Sequence, residues 1–205
     1  MPKVTARGAG AALMDDPERA AEMAAAVRAA AGLPVSVKLR LGHERENVLE
    51  VARALERAGV SLIRVHGRTA RQRYGGRADW GRISEVAGAV RIPVVGTGDV
   101  RTVADYRERR ALGLAVAVAR GAVGRPWFFA ELRGKAVTPA QKRQAAREHL
   151  ELHLEWYAKR GELWALRAFR GHLSRYLAGA PPALRREALA SESVVRVMEA
   201  LTSIA

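Results

Sequence analysis

The 205-residue sequence contains no cysteine, and this absence excludes several classes of protein. Without thiols the chain has no disulfide scaffold, no cysteine-ligated zinc or iron–sulfur site and no cysteine nucleophile. Long apolar segments are also missing, because the longest run, residues 112–119, is far shorter than the roughly 20 residues that span a membrane. The first residues lack the apolar segment of a signal peptide. We therefore expect a cytoplasmic protein with no membrane partner.

Acidic residues are scarce relative to basic ones. Lys and Arg together number 35, Asp and Glu 21, and the formal net charge is +14. Such an excess of positive charge favours a polyanionic partner, and nucleic acid is the first to consider. Compositional drift towards arginine is the alternative explanation, and charge alone does not decide between them. Hydrophobic residues make up 49% of the chain, which is enough for a buried core.

The first part of the chain alternates between helical and strand patterns. Helices are predicted over residues 18–31, 46–58, 80–90 and 102–112, and strands over residues 34–40, 60–66, 92–96 and 114–119. Each strand is short and mostly apolar, which favours a parallel sheet covered on both faces. Polar residues lie at the carboxyl ends of the strands, where βα folds bind ligands: Lys38, Arg40, His66 and Arg120.

The pattern changes after residue 131 and becomes helical. Thr138 is typical of an N-cap and Pro139 of a first helical residue, and a further helix is predicted over residues 162–177. Two shorter helices follow. Three aromatic residues are assigned to the core of this helical part rather than to base stacking: Trp156, Tyr157 and Trp164.

Four strand-end segments occur in a fixed order, and together they resemble the tRNA-dihydrouridine synthases. The segments are residues 37–42 (VKLRLG), 65–69 (VHGRT), 95–100 (VGTGDV) and 119–127 (ARGAVGRPW). The likeness extends to residues 8–13 and 72–80, and into the helical part at residues 170–173 and 176–179. Each segment alone is weakly specific, whereas the ordered set covers nearly the whole chain.

The resemblance implies an α/β fold, the C-terminal half of a (β/α)8 TIM barrel with about four βα units, followed by a small all-helical domain. It also implies a flavoprotein oxidoreductase that reduces the C5–C6 double bond of uridine in tRNA. The cofactor would be FMN, with NADPH as the reductant, and no metal is implied. Residues 1–132 would belong to the FMN-binding catalytic domain and residues 133–205 would form the tRNA-binding domain.

The resemblance, together with position at strand ends, predicts the FMN-binding residues: Lys38, His66, Thr97, Gly98, Asp99, Ala119 and Arg120. A strand-end lysine can stabilise the negative charge of a reduced flavin ring at its N1–C2 edge. Glycine-rich turns after the last two strands can approach a phosphate. Ordinary structural roles are the alternative for the lysine, the histidine and the glycines. Two positions depart from the family motif, which commonly has Asn at Thr97 and Gly at Ala119.

Basic residues without acidic neighbours predict an RNA-binding surface. No Asp or Glu occurs between Glu56 and Asp79, while arginine recurs throughout that interval. The predicted RNA contacts are Arg68, Arg71 and Arg73 in a loop beyond a strand end, and Arg167 and Arg170 on one face of a later helix. A merely solvated basic loop is the competing interpretation.

A complete (β/α)8 barrel has eight strands and about 250 residues, whereas this sequence predicts only four strands. In the family, a proton-donating cysteine precedes the segment that resembles residues 8–13. The resemblance therefore puts the catalytic cysteine upstream of Met1, leaves no catalytic residue in this sequence and predicts that the chain alone is an inactive fragment. Two other functions stay open, a non-catalytic tRNA-binding fragment and an FMN-dependent TIM-barrel oxidoreductase for a small molecule.

Overall fold

The computed structural model describes residues 2–204, which separate into two compact units, residues up to 119 and residues from 120 onward. Domains were expected to meet between residues 132 and 133, a position that lies within the second unit. Among residues 2–204, no helix combines the length and the apolar character needed to cross a membrane.

The first unit alternates helices with parallel strands. A short helix α1 (Pro2–Thr5) and a 3-10 turn (Gly10–Asp15) precede α2 (Pro17–Ala31), β1 (Ser36–Leu39), α3 (Val48–Arg57), β2 (Leu62–His66), α4 (Trp80–Ala89), β3 (Val94–Thr97), α5 (Val103–Arg110) and β4 (Ala115–Ala117). The four strands form one parallel sheet in the order β1-β2-β3-β4. The predicted α/β alternation is confirmed, and every strand is shorter than predicted.

Local sequence explains where the helices begin and end. The Asp16 carboxylate accepts a backbone hydrogen bond of 3.0 Å from the first turn of α2, and Pro17 is its first residue. Gly32 ends the same helix in the left-handed region, at a φ of 62°. At the start of α5, Thr102 and Asp105 form a reciprocal capping box.

The two faces of the sheet differ in character. On one face, apolar side chains pack into a core with α3 and α4, and these strand residues are Val37, Leu39, Ile63, Val65, Val94 and Val116. The other face presents the exposed residues Ser36, Lys38, Arg64 and Ala115. The expectation that both faces are covered is therefore wrong for the described residues, because Lys38 and Arg64 alternate with core residues and so point away from the helices.

Residues 120–204 form a 3-10 turn (Arg120–Ala122), α6 (Phe128–Leu132), α7 (Pro139–Trp156), a second 3-10 turn (Ala158–Arg160), α8 (Glu162–Tyr176), α9 (Pro182–Ala190) and α10 (Val194–Leu201). Thr138 and Pro139 begin α7 as predicted. The core combines residues of α7, α8 and α10, including Leu150, Phe169, Leu173, Val197 and Leu201. Trp127 packs against this core, and its ring centroid lies 6.1 Å from that of Tyr176. This contact explains why the unit begins before residue 133.

Two tryptophans of this unit, Trp156 and Trp164, are more exposed than predicted. Trp156 is 82% exposed and Trp164 is 41% exposed, so the core assignment is wrong for Trp156 and incomplete for Trp164. Leu154 packs against the core, and Trp156 follows it by two positions, which is about 200° around a helix. Trp164 instead packs on the surface, with its ring 5.0 Å from that of Tyr157 and the Arg160 guanidinium carbon 4.7 Å from its centroid.

Candidate functional site

Polar side chains from three neighbouring strands share the face of the sheet opposite the core. The register pairs Lys38 on β1 with Arg64 on β2, and His66 on β2 with Thr97 on β3. Paired residues point to the same side of a sheet, and so do residues two apart on one strand. The fold therefore brings together three of the residues predicted from the sequence, namely Lys38, His66 and Thr97.

Positive charge accumulates around Lys38. Partial desolvation lowers the pKa of its ammonium group below the ordinary value, although the residue as a whole is exposed, and the positive charges of Arg40 and Arg64 lower that pKa further. An anion bound beside these groups would relieve the repulsion between them. This face of the sheet is therefore suited to an anionic ligand.

The turn after β3 packs closely against the start of α4. Gly98 has a φ of 133°, and a Cβ atom there would lie only 2.5 Å from the Cβ of Ala78 and 3.2 Å from Cδ2 of His66. The indole N–H of Trp80 donates to the Gly98 carbonyl at 3.0 Å. Packing and conformation both require glycine at this position.

Arg68 is directed inward rather than towards solvent. Its side chain is 2% exposed, and its Nε donates to the Gly75 carbonyl at 3.0 Å. Its Nη2 donates to the Gly76 carbonyl at 2.7 Å and to the Asp99 carboxylate at 2.6 Å. In this arrangement Arg68 supports residues 67–79, hereafter the arginine loop, and does not offer its guanidinium group to RNA. Asp99 is likewise engaged with Arg68 and with the backbone N–H of Ala78, at 2.8 Å.

A second inward arginine supports the same loop from β1's carboxyl end. Nη1 of Arg40 donates to the carbonyls of Thr69 and Arg73, at 2.9 Å in both cases. Burial lowers the pKa of Arg40, as does the nearby charge of Arg68. Two guanidinium groups thus bind the backbone of the arginine loop from inside.

Three other arginines and one tyrosine of the arginine loop face solvent. Arg71, Arg73 and Arg77 are exposed, and Tyr74 is 62% exposed. The Tyr74 centroid lies 5.9 Å from the Arg40 guanidinium carbon, and Arg40, Arg71, Arg73 and Tyr74 line part of an open groove of about 880 Å³. Sequence reasoning missed Tyr74, for which the available signal was an aromatic residue among arginines.

The remaining predicted residues lie away from this cluster in the chain. Ala119 is the exposed last residue of the first unit, and Arg120 is an exposed residue of the turn that opens the second. Arg167 is exposed and pairs with Glu192 at 2.5 Å. Arg170 is half-buried, and its Nε has no hydrogen-bond partner among the described residues.

The second unit contains a histidine cluster to which the sequence analysis assigned no role. The ring centroids of His149 and His172 are 4.7 Å apart, and Nδ1 of His149 lies 2.9 Å from the Tyr176 hydroxyl. Nε2 of His153, four residues after His149, donates to the Ala165 carbonyl at 3.1 Å. Within residues 2–204, no group of three His, Cys, Asp or Glu side chains is arranged to hold a metal ion.

Acid is expected to destabilise the second unit through this cluster. Burial lowers the pKa values of His149 and His153, with a further contribution from the charge of His172. The folded state therefore binds fewer protons than the unfolded state, and stability falls as the pH drops below the ordinary histidine value of 6.5. We expect the midpoint of thermal unfolding, followed by circular dichroism, to fall by about 3–6 °C between pH 7.5 and pH 5.5.

The double variant His149→Gln, His153→Gln should show a flatter profile over the same pH range. An equally steep profile in the variant, or a wild-type midpoint that does not change, would contradict this role of the cluster.

The fold and the site together define an α/β protein with cationic side chains near the carboxyl ends of its parallel strands. Residues 1–204 match the family model described as Dihydrouridine synthase (Dus). The chain belongs to the dihydrouridine synthase family, which confirms the resemblance seen in its strand-end segments.

Curated relatives agree with this assignment. A probable tRNA-dihydrouridine synthase of Rhizobium leguminosarum bv. phaseoli is 40% identical over 188 residues, which cover 89% of this chain and 58% of that protein. Another from Rhodobacter capsulatus is 40% identical over 199 residues, 90% of this chain and 60% of the relative. The tRNA-dihydrouridine synthase B of Shewanella oneidensis is 37% identical over 191 residues, which cover 85% of this chain and 57% of that protein. The chain thus spans somewhat less than two thirds of the length of these relatives.

Proposed function

We propose that this chain provides flavin-binding and tRNA-binding surfaces of a tRNA-dihydrouridine synthase. The reaction is the reduction of the C5–C6 bond of uridine in tRNA, with FMN as cofactor and NADPH as the reductant. One observation carries the proposal, the clustering of positive charge on one face of the sheet. Lys38, Arg64 and His66 share this face, and the arginine loop exposes further arginines at its carboxyl edge. The names of the relatives support tRNA as the substrate.

We infer that the four-stranded sheet is the C-terminal half of a (β/α)8 barrel and that the helices after it form a tRNA-binding domain. The polar face supports the first inference, because the inner face of such a barrel would carry Lys38 and Arg64 towards its mouth. Two exposed basic residues of the helical part support the second, namely Arg120 and Arg167, although Arg167 is paired with Glu192.

The residues of the polar face fit FMN. The ammonium group of Lys38 would stabilise the negative charge of the reduced ring, and the positive charges of Arg40 and Arg64 beside it favour such an anion. Nη1 of Arg68 lies 3.5 Å from Nε2 of His66, and a guanidinium group can only donate. When bound, FMN supplies the hydride that reduces the uracil ring.

The exposed residues of the arginine loop are assigned to RNA. Arg71, Arg73 and Arg77 would pair with phosphates, and Tyr74 offers an exposed ring on which an unstacked base can lie. Arg68, which the sequence assigned to RNA, is reassigned to support of the loop because its side chain is 2% exposed and its Nε and Nη2 already donate to the loop backbone and Asp99.

A second candidate function is tRNA binding without catalysis. The absence of cysteine from the chain and its net charge of +14 favour this alternative. Both functions predict tRNA binding that weakens with salt, and only the first predicts a change in the dihydrouridine content of tRNA.

Deleting the gene is expected to lower dihydrouridine in tRNA, measured by mass spectrometry of the nucleosides. The wild-type gene should restore it, whereas a Lys38→Met gene should restore at most about one tenth, because the stabilising charge at the flavin is lost. Arg19→Gln, on the exposed side of α2, is the matched control and should restore the wild-type level. Unchanged dihydrouridine in the deletion strain would refute the enzymatic proposal, and tRNA binding by the purified chain would then favour the second candidate.

A further inference from the structure

The arginine loop and the turn after β3 are joined by polar contacts that the proposed chemistry does not use. A single carboxylate oxygen, Oδ2 of Asp99, accepts from Nη2 of Arg68 at 2.6 Å and from the backbone N–H of Ala78 at 2.8 Å. Arg68 lies near the beginning of the loop and Ala78 near its end. One oxygen atom therefore ties both ends of the arginine loop to the turn.

The turn adopts a conformation that needs such support. Asp99 has a φ of 54°, in the left-handed region that residues other than glycine seldom occupy. Immediately before it, Gly98 packs against Ala78 and its carbonyl accepts from the Trp80 indole at 3.0 Å. The turn and the loop cannot separate without breaking these contacts together.

We infer that Arg68 and Asp99 are positioning residues that lock the arginine loop onto the turn at residues 98–99. The lock holds Arg71, Arg73 and Arg77 in fixed places for RNA phosphates, and it adjoins Thr97 and His66 on the flavin-facing side. This inference rests on the proposed function for the identity of the ligand. The lock, however, is a property of the loop that can be measured without any ligand.

Removing one partner of this ion pair is expected to cost more than removing one partner of an exposed pair. Arg68 is 2% exposed, so removal of its partner leaves a buried charge without compensation. The loop also contains the adjacent residues Gly75 and Gly76, whose backbone carbonyls are held by Arg68. Loss of the ion pair therefore favours local opening of the loop, while the sheet and α5 keep their own contacts.

Limited trypsin digestion of the chain tests the lock, because trypsin cleaves after arginine. Asp99→Asn keeps the side-chain size and removes the charge, whereas Arg68→Lys keeps the charge and loses the forked donors. Glu18→Gln is the control, since it removes the exposed ion pair between Glu18 and Arg57, at 3.0 Å. We expect cleavage after Arg71, Arg73 and Arg77, compared with sites in α5, to become about tenfold faster in both test variants and to be unchanged in the control.

The lock would be overturned if the ratio of loop cleavage to α5 cleavage stayed unchanged in the two test variants. It would also be overturned if cleavage after Arg107 and Arg110 of α5 became faster by the same factor as cleavage in the loop. In filter binding, Asp99→Asn should also weaken tRNA binding by about fivefold and reduce its dependence on salt. If loop cleavage is faster in Asp99→Asn but its tRNA affinity equals that of the wild type, the inference that the lock positions the RNA contacts is wrong. If the wild-type chain does not bind tRNA, the proposed ligand is wrong, and the cleavage ratio still decides whether the lock exists.

Discussion

Replacing Gly96 with alanine is expected to lower the free energy of unfolding by about 2–3 kcal/mol. A Cβ atom at this position in β3 would lie 2.4 Å from Cζ3 of Trp80 and 3.1 Å from Cγ2 of Ile83. Both neighbours are buried in the core of the first unit, so neither can move aside without disturbing other contacts. Chemical denaturation followed by tryptophan fluorescence measures the change.

Gly88 provides the matched control because it lies in α4, the helix that supplies both of those neighbours. No atom lies within 4 Å of a Cβ built at Gly88. Gly88→Ala should therefore raise the free energy of unfolding by about 0.5–1 kcal/mol, since alanine favours helix more than glycine does. Equal effects of the two substitutions would show that the close packing of Gly96 against Trp80 is not what limits stability.

Removing the three exposed charges of the arginine loop is expected to have the largest effect on RNA. We expect the triple variant Arg71→Gln, Arg73→Gln, Arg77→Gln to bind tRNA about a hundredfold more weakly near physiological salt, because three phosphate contacts are lost. The slope of the logarithm of affinity against the logarithm of salt should become shallower by about 2–3. Titration of labelled tRNA at several salt concentrations measures both quantities.

Three exposed arginines on α2, α3 and α5 allow a control with the same loss of charge, namely Arg19→Gln, Arg53→Gln and Arg107→Gln. This control should reduce affinity only slightly, because net charge acts at long range and is screened by salt. If both triple variants lose affinity equally, tRNA responds to the overall charge and the arginine loop is not its binding site.

Much of the local structure was predictable because its causes are close in sequence. Asp16 and Pro17 define the start of α2 through groups within one helical turn, and Thr138 and Pro139 do the same for α7. The alternation of strands and helices likewise follows from runs of apolar residues and their spacing. The family resemblance also depends only on ordered short segments, and the family comparison confirms it.

Residues whose surroundings come from distant parts of the chain were harder to predict. Trp156 has the large apolar side chain typical of a core residue, but it points away from the core. Its direction depends on which side of α7 meets α8. Tyr74 lies in a loop without periodicity, so nothing local indicates that its ring is exposed beside Arg40.

The sequence alone determined the family, the α/β alternation and the cluster of Lys38, His66 and Thr97 at one edge, because parallel strands bring their carboxyl ends together. Only the tertiary structure decided that Arg68 turns inward to Asp99 while Arg71, Arg73 and Arg77 turn outward. Arginines in one short loop look alike in sequence. Their roles differ only in the folded chain, where a carboxylate and backbone carbonyl groups surround Arg68 and the other arginines remain in solvent.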